Sequence, residues 1–276
     1  MNEDPINSSA DADVRKSLES LLLREGRPCG CGGDSILIPE SQLLIFDSDK
    51  RISSFCQRQE LYDFFRRYGF RVSRVQVLFD ARTAAAEIEA AEAVGICQLL
   101  KIKGKWILIS ASVSMHDRTL RMSNPILPKA FSEVCEACWT RYRHSNRTCD
   151  ANRMSTVFHS MCRLAEVKDD TSLALIAQQD FLEIVDKRYS TKLHKAYYHL
   201  KDDLRSAQGD TLLSIQFSAP TLALVRLKVG HPPCLWTDLL TCAKLDDDKW
   251  WIVAKTSCHE DFCLELKDEG SSSSST

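Results

Sequence analysis

Four residues of one short segment have the side chains that bind zinc. In CEACWTRYRHSNRTC, the spacing of Cys135, Cys138, His144 and Cys149 is one residue longer than that of a retroviral-type zinc knuckle. The glycines of that knuckle are absent, and on a helix the two nearest cysteines would share a face that His144 does not reach. We therefore expect a helix here, with no bound metal or cofactor. The stretch CGCGG at residues 29–33 is better explained as a glycine-rich turn.

A single carboxylate interrupts an otherwise apolar strand in CLWTDLLTC. The period-2 alternation of a strand places Trp236, Asp238 and Leu240 on one face and their neighbours on the other. A carboxylate that faces a pocket has a raised pKa and can act as an acid or a base. An aspartate at a solvated sheet edge or an interface fits the sequence equally well. Trp236 is either a platform for a ligand or a packing residue.

Composition excludes several classes of function. The chain has a net charge of −2, which gives no electrostatic reason to bind nucleic acid or an anionic membrane. No stretch approaches the roughly 18 apolar residues of a membrane span. The chain also lacks a phosphate loop, a dinucleotide fingerprint, a nucleophile elbow and a kinase signature.

The cysteines and the first residues indicate the cellular compartment. The opening MNEDPINSSADAD is acidic and polar, unlike a secretory signal. Without such a signal, the twelve cysteines are best explained as reduced thiols. We therefore expect a cytoplasmic protein.

A hairpin that contains Lys-Trp occurs twice. LLKIKGKWILIS at residues 99–110 returns as CAKLDDDKWWIVA at residues 242–254. Two extended segments precede each copy, although the alanines at 84–86 fit a helix equally well. Further upstream, each copy has an amphipathic helical pattern, at residues 55–68 and 176–189. Agreement over this many elements indicates two copies of one fold.

Each copy opens with a helix. The first is predicted in DVRKSLESLLLREG, with Asp13 as N-cap and Gly26 as C-cap. The second is predicted in FSEVCEACWTRYRHSNRTC, followed by a short helix that Asp150 caps. The boundaries that follow are a disordered N-terminus at 1–13, a first domain at 14–114, a linker at 115–131, a second domain at 132–265 and a flexible tail at 266–276.

Three motifs of the second copy resemble one family. VFHSMCRL (157–164) looks like a Phe-His-Pro-Asp-x-x-Leu turn, LWTDLLTCAKL (235–245) like a Val-Asp-Tyr-Leu-x-Leu-x-Lys strand, and DKWWIVAKT (248–256) like a closing Gly-x-Trp-x-Ile-Val-x-Lys strand. These motifs are similar to those of the nuclear transport factor 2-like superfamily, in the branch of the polyketide cyclases and the proteins described as putative lumazine-binding.

The resemblance implies an α+β fold with two tandem cone-shaped domains, each a curved antiparallel sheet packed on helices. Residues 14–114 look like a more divergent copy, with Ile38 in the place of His159 and Gly95 near the place of Asp238. The polar side chains are thus lost from the first copy, which suggests a scaffold.

The same resemblance implies a conical pocket and directs attention to four residues. His159 and Asp238 would be the catalytic pair, as general base and orienting partner for proton abstraction. Tyr142 and Trp236 would bind the ligand. The family also uses its histidine turn structurally, so His159 has a second interpretation.

Three functions follow from these expectations. The first is binding of a small aromatic or polycyclic molecule in the second domain, with the first domain as scaffold. The second is a cofactor-independent cyclase, isomerase or dehydratase. The third is a protein-interaction module with an internal pseudo-dimer, because this fold also forms homo-oligomers through its sheet faces.

Overall fold

The structure, a computed structural model, describes residues 5–22, 37–46, 52–55, 58–78, 80–115, 128–169, 172–189, 209–231 and 234–261. Within these ranges the chain forms two units. The elements of the first unit are α1 (Pro5–Leu22), β1 (Leu37–Phe46), β2 (Ile52–Phe55), α2 (Arg58–Tyr68), β3 (Arg71–Val77), β4 (Thr83–Glu89), β5 (Ala93–Ile102) and β6 (Lys105–Met115).

The second unit repeats this order and adds a short helix. Its elements are α3 (Pro128–Val134), a π-helical segment (Cys135–Arg141), α4 (Tyr142–Thr148), α5 (Ala151–Ser155), β7 (Phe158–Asp169), β8 (Ser172–Ala177), α6 (Gln178–Tyr189), β9 (Thr211–Ala219), β10 (Leu222–His231), β11 (Cys234–Lys244) and β12 (Trp250–Asp261). None of the helices in the described ranges is long and apolar enough to cross a membrane.

Both units contain a six-stranded sheet with the same topology. The strand order is β2-β1-β6-β5-β4-β3 in the first sheet and β8-β7-β12-β11-β10-β9 in the second. One pair in each sheet is parallel, β1 with β6 and β7 with β12, and the remaining pairs are antiparallel. The predicted α+β fold with two tandem sheet-and-helix units is confirmed, and the alanines at 84–86 form strand β4.

The two Lys-Trp hairpins occupy equivalent positions. Trp106 pairs with Lys101 across the first hairpin, and Trp250 pairs with Lys244 across the second. Both indoles are buried, which agrees with a packing role. A bulge follows at the same point of each hairpin, so the register of one sheet can be transferred to the other.

Two helices begin before the boundaries predicted for the two domains. Helix α1 begins at Pro5, within the segment predicted to be disordered, and Asp13 lies inside the helix instead of capping it. The reason is that the apolar stripe of the helix extends back to Ala10, which is buried with Val14. Helix α3 begins at Pro128, within the predicted linker.

The remaining predictions concern two helix caps, the cysteines of residues 29–33 and the C-terminal tail. The Asp150 cap is confirmed, since its Oδ1 accepts the Arg153 N–H at 2.8 Å. The predicted cap at Gly26, the cysteines of residues 29–33 and the tail at 266–276 lie outside the described residues.

Each sheet packs with one face, which we call the inner face, on the helices of its own unit. The opposite, outer face packs on the other sheet. The outer faces share an apolar cluster, to which the first unit contributes Leu44, Val94 and Ile96 and the second Leu222, Leu224, Leu239 and Val253. Gln98 is fully buried in this contact, and its Nε2 donates to the Leu239 carbonyl and to Thr241 Oγ1, each at 3.0 Å. The two sheets therefore pack face to face within one chain.

Candidate functional site

The inner face of β11 carries the carboxylate that the sequence singled out. Trp236 and Leu240 belong to the core of the second unit, whereas Leu239 faces the first sheet, as alternation predicts. Asp238 lies between these inner-face residues and is fully buried. The alternative of a solvated sheet edge is therefore wrong for this aspartate.

Asp238 is the centre of a hydrogen-bonded group that we call the Asp238 cluster, formed by Tyr142, Asp238, Lys255 and Ser257. Asp238 Oδ2 accepts the Tyr142 hydroxyl at 2.6 Å and Lys255 Nζ at 2.8 Å. Asp238 Oδ1 accepts the Ser257 hydroxyl at 2.7 Å. Lys255 Nζ also donates to the Tyr142 oxygen at 2.6 Å. The carboxylate is thus paired with a cation and fully hydrogen-bonded, as a buried charge requires.

Two strands and one helix position the cluster. Asp238 and Ser257 are direct partners across β11 and β12, and Lys255 lies two residues before Ser257 on the same inner face. Tyr142 comes from the opposite layer, as the first residue of α4. Its ring packs edge-on against Phe158, with ring centroids 5.4 Å apart.

The π-helical segment sets the direction of Tyr142. Val134, Cys138 and Tyr142 are all buried and follow one another at intervals of four residues. Side chains that are four residues apart shift gradually around the axis of an α-helix. The wider turn of the π-helical segment compensates for this shift and keeps the three side chains on one face. Cys138 Sγ contacts Cys242 Sγ of β11 at 2.8 Å, which fixes the segment against the sheet.

The four residues with zinc-binding side chains lie in or directly after these helical segments. Cys135 and Cys138 lie in the π-helical segment, His144 lies in α4, and Cys149 follows that helix. In the part of the chain that the structure describes, no group of three or more His, Cys, Asp or Glu side chains is arranged to hold a metal ion.

The protonation states in the cluster follow from burial and charge. Burial raises the pKa of Tyr142 well above its usual value, and the adjacent Asp238 carboxylate raises it further. Tyr142 therefore remains a neutral phenol that donates to Asp238. An ammonium group has three N–H donors, and Tyr142 and Asp238 accept two of those of Lys255.

A cavity of about 470 Å³ lies beside the cluster. Most of its wall is apolar and comes from Leu164, Ile176, Phe181, Ile184, Val229 and Trp236. Tyr142, Lys255 and Ser257 also line it, whereas Asp238 lies behind them. The volume and the mixture of an apolar wall with a few polar groups are those of a small-molecule site.

Three further polar residues line the cavity. Asn146 follows Tyr142 by one helical turn on α4, so the two side chains share a face. Glu166 on β7 and Arg188 on α6 add one negative and one positive charge. Arg188 is near enough to act on the phenol, since its charge opposes the rise in the pKa of Tyr142.

His159 does not belong to this site, and its predicted pairing with Asp238 is wrong. Phe158 points into the core of the second unit, so the next residue of β7 points to the other face. There the His159 ring packs against Trp251, with ring centroids 5.8 Å apart, and its Nδ1 accepts the Met161 N–H at 3.3 Å. Burial lowers the pKa of His159, and Asp247 partly offsets this effect. The structural interpretation of the histidine turn fits this placement.

The first unit lacks the cluster. When the two Lys-Trp hairpins are aligned by their strand pairing, Gly95 lies at the position of Asp238, Ala111 at that of Lys255 and Val113 at that of Ser257. A Cβ atom on Gly95 would lie 2.9 Å from Val113 Cγ2 and 3.1 Å from the Ser112 carbonyl oxygen. The position therefore has no room for a carboxylate, and the polar cluster is confined to the second unit.

The structure places Tyr142, Trp236 and Asp238 near one another, and it adds three residues that sequence reasoning missed, Lys255, Ser257 and Asn146. Lys255 is the lysine of the closing motif DKWWIVAKT, and its alternation with Ser257 was readable from the sequence. Asn146 had a weaker signal, its position four residues after Tyr142.

Residues 130–257 match the family model described as putative lumazine-binding. This match covers most of the second unit and all residues that line its cavity, and it confirms the resemblance expected for that copy. The comparison with curated proteins gives no match.

Solved structures with similarity to the chain each correspond to about half of it. An NTF-2 like protein of unknown function from Silicibacter pomeroyi is 11% identical and covers 48% of this chain and 97% of its own, with a TM-score of 0.39. One from Shewanella baltica is 17% identical and covers 50% and 98%, with a TM-score of 0.40. A ketosteroid isomerase-like protein from Erwinia carotovora atroseptica is 9% identical and covers 48% and 98%, with a TM-score of 0.34.

Proposed function

We propose that the second unit binds a small, planar and largely apolar molecule, aromatic or polycyclic, and that the first unit is a scaffold. The observation that carries this proposal is the cavity of about 470 Å³ beside the Asp238 cluster. The match of residues 130–257 to a family described as putative lumazine-binding supports a small-molecule ligand.

The apolar wall of the cavity and its polar side, formed by Tyr142, Lys255 and Ser257, indicate different parts of the ligand. Phe181 and Trp236 offer aromatic surface, which favours a flat ring system. On this polar side, no oxygen of the described residues accepts the third N–H of Lys255, whose Nζ lies 5.7 Å from the centroid of the Phe181 ring. This N–H is therefore left for an acceptor in the cavity. A ring system that carries a carbonyl or another acceptor group fits both requirements.

The alternatives receive less support. Acid–base catalysis by His159 and Asp238 would need both groups on one face, but they lie on opposite faces of the sheet. The internal pseudo-dimer expected for an interaction module agrees with the packing of the two sheets on each other, but this packing covers the sheet faces through which a further chain would bind. Binding in the cavity is the function that the geometry favours.

The proposal can be tested by a thermal-shift titration of the full chain with 2-acetylnaphthalene, a flat bicyclic ring with one carbonyl. A ligand that binds the native state raises its stability by about 2.7 kcal/mol at a concentration of 100 Kd. We expect a concentration-dependent rise in melting temperature. Ala174→Trp, which fills the cavity from β8, should abolish that rise.

Gln179→Trp is the matched control, because residue 179 is exposed on α6 and does not line the cavity. This variant should retain the full response. If Ala174→Trp responded like the unmodified chain, the compound would bind elsewhere. If neither this compound nor other bicyclic aromatic compounds raised the melting temperature, the proposed function would be wrong.

A further inference from the structure

Asn146 has a buried carboxamide for which the described part of the chain provides no hydrogen-bond partner. The residue is only 4% exposed and lies in the wall of the cavity. Its backbone carbonyl accepts the Cys149 thiol at 3.7 Å. Its side-chain oxygen and nitrogen make no hydrogen bond to any residue in the described ranges, yet they are not sealed inside the protein. They are therefore open to the cavity.

Such a group needs an explanation, because among the described residues nothing pairs with it, and its hydrogen bonds are left to the water or ligand that fills the cavity. Packing does not supply one, since a leucine has nearly the same shape and no polar atoms. The neighbouring polar residues behave differently: the Tyr142 hydroxyl is held by Asp238 and Lys255, and the Ser257 hydroxyl donates to Asp238. Asn146 is thus a polar residue of the site whose hydrogen-bonding capacity is reserved for an occupant.

We infer that Asn146 determines the specificity of the cavity, and that the ligand is a flat ring system with a cyclic amide edge, a carbonyl beside a ring N–H. This inference rests on the proposed function and names the chemical class of its ligand. A carboxamide presents an N–H donor and a carbonyl acceptor side by side. A cyclic amide presents the complementary pair, so the two groups form two parallel hydrogen bonds.

The position of Asn146 agrees with this geometry. It shares a face of α4 with Tyr142, at the polar end of the cavity, while Phe181 and Trp236 supply aromatic surface. A flat ligand can place its amide edge on Asn146 and its ring against these side chains. A second carbonyl would meet the remaining N–H of Lys255.

The test compares two bicyclic compounds of the same shape. 2-Quinolinone has a ring N–H beside its carbonyl, and coumarin has a ring oxygen there. We expect the full chain to bind 2-quinolinone at least about tenfold more tightly than coumarin, because a site built for a donor rejects an analogue that lacks it. Isothermal titration calorimetry measures both dissociation constants.

Asn146→Leu separates specificity from folding. This variant should bind the two compounds with similar affinity, mainly through loss of 2-quinolinone binding. Without ligand, its melting temperature should be equal to or higher than that of the unmodified chain, because the carboxamide makes no hydrogen bond to the residues that the structure describes. A large fall in melting temperature would instead show that Asn146 is structural.

The outcomes distinguish this inference from the proposed function. Equal affinity of the unmodified chain for the two compounds, with both lost in Ala174→Trp, would overturn the role of Asn146 and leave the proposed function standing. Binding of neither compound, together with no response to 2-acetylnaphthalene, would overturn both.

Discussion

Lys255 and Asp238 are opposite charges that the fold removes almost completely from water. Asp238 is fully buried and Lys255 is 7% exposed, with 2.8 Å between Nζ and Oδ2. The desolvation of such a pair largely cancels its attraction, so the pair itself adds little stability. Each partner is nevertheless essential to the other, because the remaining charge would be buried alone.

Lys255→Met should therefore lower the free energy of unfolding by about 3–5 kcal/mol. Addition of Asp238→Asn should recover most of this loss, because the second change removes the unpaired charge. Urea denaturation followed by circular dichroism measures both effects. Lys249→Met, which breaks the exposed ion pair with Asp247, is the control and should change stability by less than about 1 kcal/mol. Additive losses in the double variant would contradict this account.

His159 gives a prediction about pH. Burial lowers its pKa in the folded state, so below about pH 6.5 the unfolded chain binds more protons at this residue. The contribution of His159 to stability is present above that pH and is lost as the pH falls through the folded pKa.

We expect an NMR titration of the His159 ring to give a pKa below 6.5. His159→Gln should flatten the decline of the melting temperature between about pH 6.5 and 5. A ring pKa above the ordinary value would mean that Asp246 and Asp247 outweigh burial, and the decline would then be absent.

At the scale of elements, the same hairpin supports a polar cluster in one unit and apolar packing in the other. In the second unit, Asp238 faces Ser257 across β11 and β12. At the equivalent positions of the first unit, Gly95 faces Val113 across β5 and β6. The first pair needs Lys255 and Tyr142 to compensate the charge, whereas the second fills its space with hydrocarbon. The unit that has a glycine at this position is thus the unit without the polar cluster.

Gly95→Ala should destabilise the chain by about 1–3 kcal/mol, because the new Cβ would lie 2.9 Å from Val113 Cγ2. Val113→Ala should also destabilise, through a cavity. The double variant should be more stable than the sum of the two losses predicts, since the smaller side chain at 113 makes room for the new methyl group. Chemical denaturation of the three variants gives the coupling, and a coupling near zero would show that the site relaxes in another way.

At the scale of the molecule, the two sheets share two apolar clusters, and Leu239 belongs to the larger one. Leu239, which faces the first sheet, is fully buried there, and its carbonyl accepts a hydrogen bond from Gln98. This contact supports the proposed scaffold role of the first unit, because it covers the outer face of the sheet whose inner face lines the cavity. Unfolding of either unit would expose the apolar face of the other.

We expect the unmodified chain to unfold in a single calorimetric transition. Leu239→Lys buries a charge in the shared cluster and should lower stability by more than about 3 kcal/mol, with separate transitions for the two units. Leu213→Lys is the control, because Leu213 is 41% exposed on β9. It should change stability by no more than about 0.5 kcal/mol. A single unshifted transition in Leu239→Lys would show that the two units are coupled by other contacts.

Much of this architecture was present in the sequence as local pattern. The repeated Lys-Trp hairpin indicated two units, and period-2 alternation put Trp236 and Asp238 on one face of β11 because neighbouring side chains of a strand must point to opposite faces. The start of α1 was missed because its polar first residues masked the apolar stripe that begins at Ala10.

The site was decided by tertiary structure. Asp238 meets Lys255, 17 residues away, through the register of β11 and β12, and Tyr142, 96 residues away, through the docking of α4 on the sheet. Register and docking depend on how whole elements pack, which no local pattern encodes. For the same reason the sequence could not tell which face of β7 carries His159, and only the folded chain turned it away from the cavity.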